Sequence, residues 1–326
     1  MDLIYTNSKR IDQGILDAYS FDLSFGASEN DFEMTLANDG VRLQFGAFVY
    51  MEGTEYGGII DGINTKKNKN TITYSGRTWH GLMNSKVIQP PSGAGYLVVS
   101  GDANAVLGRL IEDLDLGGLF VVDAEPSGIN IKNHQFTRYC SAYDGIRAML
   151  NDAGAKLQIK WIDRMVHLCA VPIVDYTDYP VDGDIATLDV KKHEQKVNHL
   201  ICMGKGELAD RAIIHLYVDQ FGRIGDVQYF TGVDENTKTY DYSNAESPDV
   251  LRTEGIKKLK ELRDNDTAEI TIPESESLTF DVGDIVGATD IPTGINATAA
   301  VTQKIVKINN GTVKTSYKTG GAKSNG

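Results

Sequence analysis

The stretch His199–Asp219, HLICMGKGELADRAIIHLYVD, holds the residue types from which a cofactor cradle is built. An apolar run leads into Gly204-x-Gly206-x-x-Ala209, and Asp226 follows about twenty positions on, near where a dinucleotide-binding unit keeps its ribose carboxylate. Such a cradle needs a helix directly after the glycines, because the helix N-terminus holds the pyrophosphate. Here Ile213–Val218, rich in β-branched and aromatic residues, reads as a second strand. The intervening Glu207–Ala212 is too short for a crossover helix. Gly204 and Gly206 are therefore expected to shape a connection between two strands, not to bind a nucleotide.

Other chemical patterns are also incomplete. FDVGDIVGATD offers Asp281, Asp284 and Asp290 to a calcium ion, but lacks the alternate-position spacing and the terminal Glu of such a loop. His193-Glu194 begins like a zinc-protease motif, yet Val197 stands where the second His belongs. Arg77 and His80 invite an acid–base role, which the neighbouring Trp79 argues against by marking a packed domain exit. Cys140, Cys169 and Cys202 are odd in number and widely spaced, so reduced, buried thiols are expected. Paired carboxylates could serve glycoside hydrolysis, but 45 acidic residues make chance pairs plentiful. The sequence thus nominates no catalytic, cofactor-binding or metal-ligating residue and implies no cofactor.

The 326 residues are enough for more than one domain. A net charge of −13 argues against affinity for nucleic acid. The densest basic cluster, Lys66, Lys67 and Lys69, is interleaved with Asn and suits a polar turn. No apolar run reaches the length of a membrane span, and Met1–Tyr5 lacks a signal-peptide pattern. Synthesis and folding in the cytoplasm are expected.

Phe21, Leu23 and Phe25 alternate, as do Phe32, Met34 and Leu36, and strand-like runs follow at Val41–Tyr50, Gly58–Thr65 and Thr71–Ser75. A small β-barrel or sandwich is expected, closed by a helical turn before Pro90-Pro91. A helix over Ala103–Asp115 is capped by Asp102. A second helix begins at Ser141 and stops at Gly154. A hairpin then turns at Asp163-Arg164. Beyond residue 190 the chain reads as β again, interrupted by a helix that Ser247-Pro248 starts and that carries Leu251, Gly255, Leu259 and Leu262 on one face. Tyrosines at 217, 229, 240 and 242 offer a sugar-stacking surface, or simply strand packing. The polar tail KTGGAKSNG is expected to be mobile.

Three segments carry a resemblance. GRTWHGLMNSKVIQPP resembles the G-R-x-x-x-G-L-L … R-x-I-x-P segment of the siphovirus tail-hub family, the baseplate hub or tail-tip proteins of tailed phages. VNHLICMGKGEL, with RAIIHLYVD and the Gly222–Gly225 turn, resembles the opening of that family's second barrel. FDVGDIVGATD and VTQKIVKINNGTVKTSYKTG resemble its C-terminal hairpins.

The resemblance implies a mainly β fold with an α+β insertion. It divides the chain into a first β-barrel at 1–90, an α+β domain at 91–189 whose strands can complete that barrel, and a second β-barrel at 190–326 with a helical insertion near 247–264. It implies a homotrimer at the virion tail tip that adapts a hexameric tube to a three-fold tip and lines part of the DNA channel, without specific DNA binding. Implied partners are a distal tail protein or tube ring, the tape-measure C-terminus, and tail fibre or receptor-binding proteins. Lytic or receptor-binding modules are expected on separate chains. Alternatives are the same hub in a phage-tail-like bacteriocin, a tail-associated glycan hydrolase, and a carbohydrate-binding module.

Overall fold

The computed structural model describes residues 2–37, 40–65, 70–178, 187–191, 196–263, 267–275, 279–290, 295–320 and 323–325. Lys66, Lys67, Lys69 and His193-Glu194 lie outside them, as does the side chain of Asp290. The described residues are mainly β and divide into two compact units, 1–188 with 270–320, and 189–269 with 321–326.

In the first unit the strands β1 (Leu3–Thr6), β2 (Asp12–Leu16), β3 (Tyr19–Gly26), β4 (Asp31–Ala37), β5 (Phe48–Tyr50), β6 (Gly57–Thr65) and β7 (Thr71–Thr78) come first. They hydrogen-bond in the order β3-β4-β7-β6-β5-β1-β2. The alternating residues of β3 and β4 all point inward: Phe21, Leu23, Phe25, Phe32, Met34 and Leu36 are buried. The strand expected over Val41–Tyr50 exists only at its end, because the Gln44–Ala47 segment turns, with Ala47 N–H donating to Gln44 O and Gly46 at φ +77°. Cross-strand rows hold the sheet, one running Val306–Leu23–Phe32–Gly76–Ile60 and another Ile308–Phe21–Met34–Tyr74–Ile63. Gly76 is obligatory in the first row, since a Cβ there would stand 1.8 Å from Ile59 O and 3.0 Å from the Phe32 ring.

Thr78 caps the short helix α1 (Trp79–Asn84) by accepting from Gly81 N–H. Then follow β8 (Val98–Asp102), α2 (Ala103–Asp113), β9 (Phe120–Val122), β10 (Asn130–Gln135), α3 (Ala142–Asp152), β11 (Ala155–Ile162) and β12 (Met165–Pro172). Both expected caps are made: Asp102 accepts from Asn104 and Ala105 N–H, and Ser141 from Asp144 N–H. This α+β layer joins the sheet through aromatic packing. Trp79 and Trp161 stack with ring centroids 4.9 Å apart, and Phe48 and Tyr50 close on Trp161.

The chain passes from the first unit to the second within β13 (Thr187–Lys191). The second unit contains β14 (His199–Met203), β15 (Ile213–Val218), β16 (Ile224–Gly225), β17 (Thr237–Asp241) and α4 (Pro248–Arg263). Its sheet runs β16-β15-β14-β17, and β17 lies parallel to β14. Leu251 and Leu259 of α4 bury themselves with Leu200, Cys202, Leu216 and Val218 of the strands. The insertion expected near 247–264 is therefore only the last element of a larger inserted module: an amphipathic helix needs an apolar partner, and the four strands before it supply one.

The chain returns within β18 (Thr267–Ser275) and continues as β19 (Ile285–Asp290), β20 (Ile295–Asn309), β21 (Thr312–Thr319) and β22 (Lys323–Asn325). β18 pairs with β21, β21 with β20, and β20 with β3, so these strands extend the first sheet into a curled half-barrel. The sequence reading grouped them with 190–326; the contacts group Ile270–Gly320 with the N-terminal strands. Part of the polar tail is a strand, β22.

Gly76→Ala is expected to lower stability by ~2 kcal/mol or more, as overpacking against backbone demands. Urea denaturation checks this, and an unchanged midpoint would contradict the packing described.

Candidate functional site

The glycines of the cofactor-like stretch close β14 onto β15. Gly204 N–H donates to Ala212 O at 2.8 Å, and Gly206 adopts φ +110°. A single 3-10 turn, Leu208–Asp210, occupies the place a crossover helix would need. Asp226 is held by the Arg252 guanidinium through both of its oxygens. Arg77 pairs with Asp61 at 2.7 Å and not with His80. All three cysteines are free: Cys202 is buried, and Cys140 and Cys169 are half-buried. Tyr240 and Tyr242 stack on each other against the α4 core, and Tyr217 stacks on His199, which leaves Tyr229 as the exposed member of the tyrosine set.

Two clusters of titratable groups emerge instead, one in each unit. In the first unit the calcium-like aspartates hold a cation of the protein's own. Lys156 Nζ donates to Asp281 Oδ2 at 2.8 Å and to both Asp284 oxygens at 2.7 and 2.8 Å. Asp281 also approaches Lys304 Nζ at 3.5 Å, and Lys304 donates to Glu55 Oε1 at 2.7 Å. The other Glu55 oxygen lies 3.5 Å from His80 Nε2. The result is a ladder of alternating basic and acidic side chains, His80–Glu55–Lys304–Asp281–Lys156–Asp284. Its ends are deeply buried: Asp284 is 1% exposed and His80 3%. Phe25 stacks flat on the His80 ring at 4.3 Å.

The ladder sets its own protonation. Burial alone would raise the Glu55 carboxyl, but the Lys304 ammonium and His80 outweigh it and hold it at about 2. Burial also dominates at His80, pulling the imidazole below its ordinary value against the pull of Glu55. Burial disfavours both ammonium groups, yet Asp281 and Asp284 raise Lys156 and Glu55 raises Lys304. At neutral pH Glu55 is therefore ionised, His80 neutral, and both lysines protonated.

In the second unit the cofactor-like stretch supplies a histidine relay. His199 Nδ1 lies 2.6 Å from Glu235 Oε1 and 3.1 Å from Thr237 Oγ1, while its Nε2 lies 2.8 Å from His215 Nδ1. With Glu235 ionised, Nδ1–H of His199 donates to it, and Nε2 accepts from Nδ1–H of His215. The hydrogen bond from His199, then that from Thr237, keeps the Glu235 carboxyl below its ordinary value. The two rings meet end to end, 27° from parallel. Two zinc bonds of about 2.0 Å at a tetrahedral angle would hold such nitrogens ~3.3 Å apart, so the 2.8 Å separation belongs to a proton. Among the described residues no His, Cys, Asp and Glu group is arranged to hold a metal ion, and no helix is long and apolar enough to cross a membrane.

Sequence reasoning weighed Asp281, Asp284 and His80, passed over His199 and His215 as strand residues, and missed Glu55, Lys156, Lys304 and Glu235. Glu55 and Lys304 are 249 residues apart, and no local pattern could join them. The ladder ties β11 and β20 to the segments that precede β6 and β19.

Stability should follow these groups. Glu55, depressed from 4.5, contributes above 4.5 and loses its contribution as pH falls toward 2. His80, depressed from 6.5, adds an earlier loss below 6.5, where the unfolded chain takes up a proton the fold resists. Lys156 and Lys304, raised from 10.5, keep their contribution below 10.5 and lose it only above. Glu55→Gln should cost ~3 kcal/mol at neutral pH and flatten the decline below pH 4.5. Denaturant titration across a pH series measures both, and an unaltered acid limb in the variant would rule the assignment out.

No protein-family model matches the chain, and no curated protein matches it. Solved structures do. The prophage tail protein gp18 from Listeria monocytogenes EGD-e is similar with a TM-score of 0.53, over 98% of this chain and 94% of that one, at 14% identity. The 43 kDa tail protein of prophage MuSo2 from Shewanella oneidensis gives 0.52 over 98% of each chain, at 12% identity. Likeness at such low identity is likeness of fold, and it runs nearly the length of all three chains. The chain has the fold of prophage tail proteins, the architecture that its resemblance to the tail-hub family implied.

Proposed function

We propose that the chain is a structural component of a phage tail, and more specifically the trimeric hub of the tail tip. The observation that carries this reading is the near full-length sharing of fold with prophage tail proteins. In the proposed hub, each subunit offers two sheet systems in quasi-equivalent positions. Three copies then present six such surfaces to a hexameric tube while keeping a three-fold tip below, so one chain resolves the symmetry mismatch. Function then resides in interfaces: with the tube ring or distal tail protein, the tape-measure C-terminus, and fibres or receptor-binding proteins. A bacteriocin particle would use the same part in the same way.

The proposal includes a structural, non-enzymatic role. Support comes from the buried titratable groups, since each carboxylate of the first unit's ladder is engaged by a lysine and Glu235 by a histidine. It also includes a channel whose wall is net negative, motivated by the charge of −13 and by the repulsion that keeps phosphate from adhering. A trimer whose bore is lined by Lys and Arg would sink the channel part alone.

Electron microscopy of the purified protein, alone and with its tube partner, is expected to show three-fold rings with a central pore. Light scattering should give three times the chain mass in the assembled state. A protein that stays monomeric with its tube partner, or that turns over cell wall through a single carboxylate, would overturn the hub reading.

A further inference from the structure

The first unit carries a cleft of about 310 Å³ between one face of α3, the start of β11, the Asp281–Asp284 turn and the middle of β20. Asp144, Arg147, Ala148 and Asn151 line it from α3, at the i, i+3, i+4, i+7 spacing of a single helix face. The opposing walls are largely apolar: Ala155 and Leu157 from β11, Val282 from the turn, and Ala300 and Val301 from β20.

Three charged side chains line the cleft, and two are committed within the fold. Lys156 gives its ammonium to Asp281 and Asp284 and adds its stem to the wall. Asp144 Oδ2 accepts from Ser141 Oγ at 2.8 Å, inside the cap of α3. The third, Arg147, has only 23% of its side chain exposed, and its guanidinium rests on the Tyr143 ring, 5.3 Å from the centroid. Its ion-pair contact with Asp144 Oδ1 is 3.5 Å long, and it makes no hydrogen bond among the described residues. A surface pair of that kind contributes about 0–1 kcal/mol, too little to occupy the fork of donors that a guanidinium presents. One turn further along α3, the Asn151 amide also makes no side-chain hydrogen bond among the described residues.

We propose that this cleft binds the C-terminal residue of another polypeptide. The Arg147 fork takes the terminal carboxylate, the Asn151 side-chain oxygen accepts the amide N–H of the same residue, and the apolar walls cover its side chain. The planar fork matches a carboxylate in two parallel hydrogen bonds. Helix positions four apart hold their Cβ atoms about 5–6 Å from each other, within reach of a carboxylate and an amide that share one α-carbon. Ligand pockets run from about 300 to 1,000 Å³, so a cleft at the small end suits one residue of leucine size and not a long segment. A bare inorganic anion would use the fork and leave the apolar walls in water. None of this rests on the tail-hub reading.

Ligand-observed NMR titration of the full chain tests the site, with N-acetyl-leucine as the probe of a chain end. N-acetyl-leucine is expected to bind, and N-acetyl-leucinamide, which lacks the carboxylate, at least about tenfold more weakly. Arg147→Gln should weaken N-acetyl-leucine by about tenfold, or ~1.4 kcal/mol. Ala148→Phe should abolish binding by filling the cleft while every charge stays in place, and both variants should keep the parent melting temperature. 4-Methylpentanoate, which keeps the carboxylate and the apolar body but has no amide, should bind about fivefold more weakly, the contribution of one hydrogen bond. No binding of N-acetyl-leucine, equal binding of its amide, or affinity unaltered in both variants overturns the proposal. Equal binding of 4-methylpentanoate overturns the chain-end assignment in favour of a free organic acid, and displacement by equimolar inorganic phosphate overturns it in favour of any anion. The mass of the assembled particle is a separate readout, so failure here is distinguishable from failure of the hub reading.

Discussion

Lys304 carries an ammonium into a place where only 4% of the residue reaches solvent, and the Glu55 carboxylate at 2.7 Å is what makes that placement tolerable. Each ion desolvated alone costs several kcal/mol, and mutual attraction offsets this only with good geometry and further hydrogen bonds. The geometry exists only when β20 lies beside β3 and the β5–β6 connection folds over both. Next to the pair, Gln303 donates to Ser24 Oγ and Glu29 O and accepts from Ser28, all at 3.0 Å or less. A slip of one residue along β20 would turn Lys304, Val306 and Ile308 to the opposite face at once. Polar and apolar demands therefore agree on a single register. The ladder through Asp281 and Lys156 passes the same constraint on to β11.

That agreement explains what the amino-acid sequence reveals and what it hides. The helices α2 and α3 were legible because their signals are local: Asp102 and Ser141 sit directly before amphipathic runs and cap them. The β3 and β4 alternation was legible for the same reason. The β20–β3 pairing was not, because it joins residues nearly three hundred positions apart through backbone bonds that any sequence can make. The aspartates of FDVGDIVGATD were noticed for their charge, but not for the partner that two of them engage. Their true partner, Lys156, lies 128 positions before Asp284, in a strand that reads as ordinary.

The histidine relay was hidden differently. His199 and His215 stood in plain view inside the most closely read stretch, but as members of two strands of unknown register. Antiparallel pairing of β14 with β15 sets Ile201 opposite His215 and His199 opposite Tyr217, so the two histidines meet on the diagonal. Glu235 arrives from the segment before β17, where no pattern foretells it. A spacing of sixteen residues between two histidines means nothing until a turn of known length lies between them.

Gly255 in α4 has a kinetic meaning as well as a steric one. Its missing side chain lets the helix settle until a Cβ there would stand 2.5 Å from Cys202 Sγ. The thiol lies sealed beneath the helix, and burial keeps it protonated above its ordinary range. It can meet a reagent only while α4 is lifted, whereas Cys140 and Cys169 are already half in contact with water. The slow phase of thiol labelling therefore reads the opening rate of the inserted module, a clock built into the fold by one glycine and one sulfur.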